Sequence, residues 1–437
     1  MSTSSWCEVA ALVDRRAGAT PDAVAFVDGR SDRRLTWADI GSLTHRWAER
    51  RPALARRGPV GLLTADPLRA AASVVAGLGA GVSIAPLDPV APRPELLRTV
   101  RSLGLAGLVS DLDGDVTSVL AGAGVDVWAD DGPRLVEGRL GPPPRPSALD
   151  AALVMVSSGT TGAPKIVPLG VAQLLHAARA VVGHHRLGPA DRGYCPLPLF
   201  HINAIVVGVL STLVSGGSLV VDRRFSRRAF WPRAGRHEVT WVNLVPAIIA
   251  ILADAPPPPA EVAARIRFAR SASAPLAAAT QARFERRCGI PVLETYGMTE
   301  AASQIAANPL PLEQRRRGSV GRPVGVEVQV VDDEGHRVAA EAVGRVEIRG
   351  DSVVSSYWSS SGGVLAERPA TNRCGWLATG DLGRLDRDGY LFLVGRDDDV
   401  INRGGEKIYP REIEEVLLAD ARVRAAVVVG RPHPIVG

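Results

Sequence analysis

Apolar segments that fit strands alternate with segments of helical periodicity through the first three quarters of the chain. One example is the helical pattern from Ala70 to Gly79, which is followed by a short apolar run from Val82 to Leu87. This alternation favours parallel sheets, because a helix can carry the chain back between two parallel strands. We therefore predict an α/β architecture.

The pattern changes at about Gly325, where short strands of alternating polarity predict a β-rich lobe. Within this lobe, Asp388-Gly389 is typical of a hairpin turn. After Gly395, a polar stretch leads into a predicted helix from Pro410 to Leu418 and an apolar strand from Ala425 to Val429.

These patterns predict two domains. Residues 1–395 would form a large domain of two α/β sheet subdomains plus the β-rich lobe, and residues 396–437 would begin a small α+β C-terminal domain. One helix and one strand cannot bury a core of their own, so we expect this small domain to be incomplete.

The charge pattern argues against a nucleic-acid surface, because 51 basic residues are interspersed with 46 acidic ones and the net charge is only +5. Two dense basic runs, at 223–228 and 315–317, are typical of solvated loops, with a polyanionic ligand as the alternative. The four cysteines form no CxxC pair, and no secretory signal or membrane span is recognisable. We expect a cytoplasmic protein without structural zinc.

The segment from Leu153 to Lys165 predicts a phosphate-binding loop. Its apolar start fits a strand, and its polar part offers backbone N–H groups, hydroxyls and one lysine to a polyphosphate. It is not a Walker motif, because Pro164 replaces the glycine before the lysine. A flexible turn is the alternative. The candidate ligands in this loop are Ser157, Ser158, Gly159, Thr160, Thr161, Gly162 and Lys165.

Two further segments carry suitable chemistry. In the first, Tyr296 can offer a ring face to a base, Thr299 a hydroxyl to a phosphate, and Glu300 an oxygen to Mg²⁺. In the second, Asp381 at a strand edge can accept hydrogen bonds from two ribose hydroxyls, although such a segment alone also fits a solvated turn.

Taken in this order, the three segments resemble the adenylate-forming superfamily of acyl-CoA ligases, peptide-synthetase adenylation domains and luciferases. The resemblance covers nearly the whole chain, from Leu35-Thr36-Trp37 to the last residues. Within the superfamily, the likeness to oxalate-CoA-ligase-like small-acid-CoA ligases is closest, in PLPLFHINAIVVG, RFARSASAPL and INRGGEKIYPREIEEVL.

The resemblance implies a role for each matching residue. The loop from Ser157 to Lys165 would cover the β- and γ-phosphates, with Thr160, Thr161 and Lys165 as the principal donors. Tyr296 would stack on adenine, Thr299 would bond the α-phosphate, and Glu300 would hold Mg²⁺.

Further along the chain, the resemblance implies that Asp381 binds the ribose hydroxyls and that Arg396 assists there. Asp398 would be the hinge of the small domain, and the Gly404-Gly405 loop would enter the site in a second conformation that forms the thioester.

The implied activity joins an acid to AMP with ATP and Mg²⁺, releases pyrophosphate, and passes the acyl group to coenzyme A. One alternative is a stand-alone adenylation enzyme that loads a phosphopantetheinyl carrier protein or an amine. Another is a catalytically degenerate AMP-binding protein. The acid could also be inorganic, such as nitrite.

The acid pocket departs from the oxalate-ligase pattern. Of the three histidines in that pattern, His201 is present, whereas Asn203 and Ser303 replace the others. Fewer cations would then be available for a second carboxylate, so oxalate is a doubtful substrate. We expect His201 to gate or contact the acid, with a core histidine as the alternative.

The superfamily's small domain normally extends further and carries a lysine that bridges the acid and the α-phosphate. No matching lysine precedes Gly437. We expect either a fragment or a natural short form with impaired adenylation. The bare edge of a strand from Ala425 to Val429 favours the fragment.

Overall fold

The computed structural model describes residues 6–54, 58–105, 107–112, 127–128, 151–157, 165–361, 364–404, 406–420, 422–423 and 425–433. The chain divides into two compact units. Unit 1 comprises Met1–Asn243, Thr299–Ser303 and Val354–Ala370, and unit 2 comprises Leu244–Met298, Gln304–Val353 and Thr371–Gly437. The two-domain division at residue 395 remains a prediction.

Unit 1 contains strands of two sheets. Its strands are β1 (Val24–Asp28), β2 (Arg34–Thr36), β3 (Val60–Leu63), β4 (Ile84–Pro86), β5 (Gly107–Ser110), β6 (Val127–Trp128), β7 (Leu153–Ser157), β8 (Lys165–Leu169), β9 (Arg192–Cys195), β10 (Ser218–Val221), β11 (Trp241–Leu244), β18 (Ser356–Ser361) and β19 (Val364–Pro369). One sheet has the order β11-β9-β10-β1-β2 within this unit, and the other has the order β19-β18-β8-β7-β4-β3-β5-β6. Most neighbouring pairs are parallel, which confirms the predicted α/β class.

Helices pack with these sheets. They are α1 (Trp6–Ala19), α2 (Trp37–Leu54), α3 (Pro67–Gly79), α4 (Arg93–Leu103), α5 (Val171–His185), α6 (Ser211–Ser215) and α7 (Phe230–Arg236). The predicted helix at α3 is confirmed, and its start follows from local chemistry. The Asp66 carboxylate caps the N–H groups of Leu68 and Arg69, and Pro67 occupies the first turn, where no hydrogen-bond donor is needed.

Unit 2 combines short helices with strands that are mostly antiparallel, although β12 and β13 pair in parallel. Its elements are α8 (Pro246–Ala253), α9 (Ala260–Arg265), β12 (Phe268–Ser271), α10 (Ala278–Cys288), β13 (Val292–Tyr296), β14 (Ala306–Ala307), β15 (Arg322–Pro323), β16 (Glu327–Val331), β17 (Gly344–Arg349), β20 (Leu377–Leu385), β21 (Leu391–Arg396), β22 (Ile401–Arg403), β23 (Glu406–Ile408) and α11 (Pro410–Leu418). The order β16-β17-β20-β21 confirms the predicted β-rich lobe. The predicted turn is also confirmed: Gly389 has φ of 79° and donates its N–H to Asp386 O at 3.0 Å.

The predicted strand from Ala425 to Val429 is wrong, because residues 425–433 carry no strand. A strand needs a neighbour for its backbone groups, and here the N–H of Val428 donates to the Glu414 carboxylate at 2.8 Å instead. None of the described helices is both long and apolar enough to cross a membrane.

Candidate functional site

The predicted phosphate loop joins two antiparallel strands of unit 1. Ser157 ends β7, Lys165 begins β8, and the two residues are paired in register. The predictions for Ser158, Gly159, Thr160, Thr161 and Gly162, and for the side chain of Ser157, lie outside the described residues. The hairpin fixes the backbone position of Lys165 at the end of this loop.

Lys165, Tyr357 and Glu300 come together in unit 1 although they are distant in sequence. The Nζ of Lys165 lies 5.2 Å from the centroid of the Tyr357 ring, within the range of a cation–π interaction. The Tyr357 hydroxyl donates to Oε1 of Glu300 at 3.3 Å. Burial, and then the Glu300 carboxylate, raise the pKa of Tyr357, so its hydroxyl stays protonated. These three residues are called the Lys165 cluster below.

The backbone around Glu300 is held in an unusual conformation. Its carbonyl oxygen accepts the N–H of Val354 at 2.8 Å, and the next residues, Ala302 and Ser303, have φ of 48° and 93°. Left-handed conformations of residues other than glycine are strained and concentrate at functional sites. Thr299, one residue earlier, is partly exposed, and no hydrogen bond to another described residue occupies its hydroxyl.

The Glu300 carboxylate fits a bound Mg²⁺. It is buried, and its side-chain hydrogen bond within the described residues comes from the neutral Tyr357. An uncompensated buried carboxylate is costly, and a cation would offset that cost. Within the described part of the chain, no three His, Cys, Asp or Glu side chains converge to hold a metal alone. Glu300 therefore suits Mg²⁺ that arrives with phosphate and water oxygens.

Tyr296, Asp381 and Arg396 come together in unit 2. The Tyr296 hydroxyl donates to Oδ2 of Asp381, and Nη1 of Arg396 donates to Oδ1 at 3.0 Å. Asp381 lies within β20, paired with Arg396 of β21, and not at a strand edge as predicted. Each carboxylate oxygen has two lone pairs, so Asp381 can still accept further hydrogen bonds. These residues are called the Asp381 group below.

Glycine is required next to Asp381. Gly380 has φ of 77°, and a Cβ atom there would lie 2.9 Å from Nη2 of Arg396. Burial alone would lower the pKa of Arg396, but the Asp381 and Asp398 carboxylates raise it, so the guanidinium stays charged. Gly405 lies outside the described residues, and the hinge and loop roles in this region remain predictions.

His201 is exposed to solvent, so its interpretation as a core histidine is wrong. Its ring packs on Phe200 with the centroids 4.5 Å apart. Desolvation by the surrounding protein lowers the pKa of His201, and the negative charge of Asp88 opposes this shift. At neutral pH the ring is therefore neutral and offers no fixed positive charge.

The chain after His201 contains a feature that the sequence did not predict. Asn203 is buried and accepts a hydrogen bond from Nδ2 of Asn243 at 3.2 Å. It immediately precedes a π-helix, Ala204–Leu210, whose residues are all buried. π-helical turns are frequent at functional sites, but the apolar run here has the same composition as an ordinary buried helix.

A cavity of about 900 Å³ opens in unit 1 near the carboxyl ends of strands from both sheets. Asp28 ends β1 and Asp222 follows β10, and on the opposite sheet Asp88 and Asp111 follow β4 and β5. Ligands of α/β proteins bind preferentially at such strand ends.

The charges that line this cavity are unequally neutralised. The Asp222 carboxylate is paired with Arg233 at 2.9 Å. In contrast, Arg30, Arg223 and Arg224 line the cavity without an ion pair to any described residue. The whole lining holds five arginines and five aspartates, so its formal charges balance, and a polyanionic ligand remains the alternative to a solvated loop.

Comparison with known proteins agrees with this chemistry. Residues 13–358 match the family model described as AMP-binding enzyme. The chain is 46% identical over 296 residues to the sulfoacetate–CoA ligase of Cupriavidus necator, covering 68% of this chain and 57% of that protein. It is 38% identical over 288 residues to the oxalate–CoA ligase of Saccharomyces cerevisiae, covering 66% of this chain and 52% of that protein. The chain thus spans little more than half the length of these relatives.

Solved structures give longer matches. ATP-bound MatB from Rhodopseudomonas palustris superimposes with a TM-score of 0.84 at 27% identity, covering 97% of this chain and 86% of that one. The o-succinylbenzoate coenzyme A synthetase of Bacillus subtilis with ATP and magnesium gives a TM-score of 0.80 at 28% identity, covering 97% and 87%.

Proposed function

Because the chain belongs to the AMP-binding enzyme family, we propose that it activates a small carboxylic acid with ATP and transfers the acyl group to the thiol of coenzyme A. The Lys165 cluster carries this proposal. Its cation lies over the ring of the neutral Tyr357 and its buried carboxylate accepts from the hydroxyl of that residue, and within the described residues they form no ion pair with each other. Both charges stay available for a magnesium-bound triphosphate.

In the first step, a carboxylate oxygen of the acid forms a bond to the α-phosphorus of ATP. The bond from that phosphorus to the bridging oxygen breaks, and pyrophosphate leaves with the electron pair. Lys165 donates to phosphate oxygens, and the Thr299 hydroxyl donates at the α-phosphate. A magnesium ion held by Glu300 would supply further neutralisation of phosphate charge.

The nucleoside part of ATP is assigned to the Asp381 group. The ring of Tyr296 offers a face for adenine, and Asp381 accepts hydrogen bonds from the ribose hydroxyls. Arg396 holds the Asp381 carboxylate from one side, which limits its rotation.

In the second step, the thiol loses its proton to solvent, its sulfur bonds to the acyl carbon, and AMP leaves with the electrons of the broken acyl–oxygen bond. The cavity in unit 1 supports coenzyme A over a carrier protein as the thiol donor. Coenzyme A carries a diphosphate and a further phosphate, which suit the arginines at 30, 223 and 224. A carrier-bound phosphopantetheine has a single phosphodiester.

The relatives are named for sulfoacetate and oxalate, acids with two anionic groups. Here Asn203 and Ser303 stand where the oxalate-ligase pattern has histidines, and Asn203 accepts a hydrogen bond from another amide. We therefore assign to this chain a small acid with one carboxylate.

Acid-dependent exchange of pyrophosphate into ATP, measured on the full-length protein, tests the first step. We expect exchange with small monocarboxylates, and less with oxalate, sulfoacetate or nitrite. Nucleotide binding without exchange for any acid would contradict the proposal and indicate an inactive AMP-binding protein.

Acceptor trials with coenzyme A, dephospho-coenzyme A and pantetheine test the second step. We expect Arg223→Ala and Arg224→Ala to raise KM for coenzyme A about two- to fivefold each, because exposed charge pairs are weak. KM for pantetheine should not change. Arg228→Ala is the matched control, since Arg228 is exposed in the same segment but does not line the cavity. Equal effects in all three variants would exclude the cavity as the phosphate site.

A further inference from the structure

Tyr357 is absent from every motif in the sequence analysis, yet it contacts both charged residues of the Lys165 cluster. β18 carries it next to β8, because Trp358 pairs with Ile166, the residue after Lys165. The guanidinium of Arg368, its cross-strand neighbour on β19, lies 5.8 Å from the ring centroid. The ring therefore sits among positive charges, and its hydroxyl meets a negative one.

A tyrosine in this place differs physically from a charged residue. The ring attracts the Lys165 ammonium through its π face without cancelling the charge. The hydroxyl donates to one oxygen of Glu300 and leaves the other oxygen available. An aspartate or an arginine at 357 would form an ion pair with one of the two residues and remove that charge from ligand binding.

We propose that Tyr357 is a positioning residue that orients the Glu300 carboxylate through its hydroxyl and the Lys165 ammonium through its ring. This inference rests on the proposed function, because it assumes that the two charges meet Mg²⁺ and phosphates. The hydroxyl and the ring have separable roles, so two substitutions at the same position should affect different ligands.

Calorimetric titration of the chain with AMP, with ATP in EDTA and with ATP in excess Mg²⁺ separates these roles. Tyr357→Phe should weaken binding of magnesium-bound ATP about three- to tenfold, the range for one lost hydrogen bond, and leave AMP and metal-free ATP unchanged. Tyr357→Leu also removes the ring, so it should weaken metal-free ATP as well. In a Glu300→Gln background, Tyr357→Phe should have little further effect.

Tyr390→Phe in unit 2 is a matched control. The Tyr390 hydroxyl donates to Gln314 O, and the guanidinium groups of Arg316 and Arg322 lie 4.4 and 4.5 Å from its ring centroid. Like Tyr357→Phe, this variant loses a tyrosine hydroxyl hydrogen bond and keeps an aromatic ring that contacts cations. We expect it to lower the unfolding temperature and to leave all three affinities unchanged.

Tyr357→Phe with parental affinity for magnesium-bound ATP would overturn the inference, as would equal losses for AMP and for magnesium-bound ATP. Failure of the parental chain to bind either nucleotide would overturn the proposed function instead. If Tyr357→Phe does not fold, 3-fluorotyrosine labelling of the parental chain gives a second test, because there are only five tyrosines to assign. The Tyr357 resonance should shift with magnesium-bound ATP and not with AMP; an unchanged resonance would contradict the inference.

Discussion

The Asp381 group and the Lys165 cluster differ in whether their charged side chains have oppositely charged partners. Both oxygens of Asp381 already accept hydrogen bonds, one of them from the charged Arg396. In the Lys165 cluster, neither charged residue has an oppositely charged partner among the described residues, and both contact the neutral Tyr357.

This difference matches what each part of ATP needs. A nucleoside is neutral, so it is recognised by shape and by fixed hydrogen bonds, which the rigid Asp381 group can provide without its ligand. A triphosphate brings several negative charges, and its binding gains most from cations that no protein group has neutralised. The comparison predicts that variants of the two regions lose different ligands.

The largest effect is expected at Lys165. Lys165→Ala removes a cation aimed at the leaving phosphates, and we expect acid-dependent pyrophosphate exchange by the full-length protein to fall about a hundredfold or more. AMP affinity should change little, because AMP lacks those phosphates. Lys165→Arg is the control, because it keeps the charge and should recover part of the rate. If Lys165→Ala exchanged pyrophosphate at the parental rate, the assignment of Lys165 to the phosphate site would be wrong.

The next effect is expected at Asp381, with Glu300 as its counterpart. Asp381→Ala should weaken AMP and magnesium-bound ATP alike by about ten- to a hundredfold, because hydrogen bonds to a charged group contribute about 1.5 to 3 kcal/mol. Glu300→Gln should weaken only magnesium-bound ATP. Calorimetric titration of the two variants measures these affinities. Equal losses of AMP affinity would mean that the two regions do not bind different parts of ATP.

Local patterns predict much of this fold. The bounds of α11, Pro410–Leu418, follow from a proline in the first turn and amphipathic spacing. The strand from Ala425 to Val429 is wrong, because a strand also depends on a partner that local composition does not identify. Helices that satisfy their own backbone are easier to place than strands.

Tertiary pairing explains what the motifs miss in the site. Tyr357 becomes relevant only because β18 pairs with β8, a contact between distant segments. Similarly, a basic run that suggests a solvated loop is in fact paired, since Arg315 and Arg317 both bind Glu285. Residues that match a long motif are recoverable from sequence, and their supporting neighbours are not.

The last expected effect is on stability and leaves nucleotide affinity unchanged; it concerns Glu294, two residues before Tyr296 on β13. Burial raises the pKa of Glu294 from 4.5 to about 7, and the positive charge of Arg411 opposes this rise only in part. A carboxyl group whose pKa is higher in the folded than in the unfolded chain makes its full contribution to stability below its unfolded-state pKa. That contribution is lost as the pH rises through its folded-state pKa. The parental chain should therefore lose stability between pH 5 and pH 8.

We expect the free energy of unfolding to fall by about 2 kcal/mol over this pH range in the parental chain, and not in Glu294→Gln, which cannot ionise. Urea unfolding at several pH values measures this difference, with Glu334→Gln as a control at an exposed glutamate. AMP affinity should stay constant in all three proteins, because the Asp381 group is held by its own hydrogen bonds. If AMP binding instead weakened with the ionisation of Glu294, nucleoside binding would depend on a charge outside the Asp381 group. The Asp381 group would then not be fixed by its own hydrogen bonds, and it would no longer differ in this respect from the Lys165 cluster.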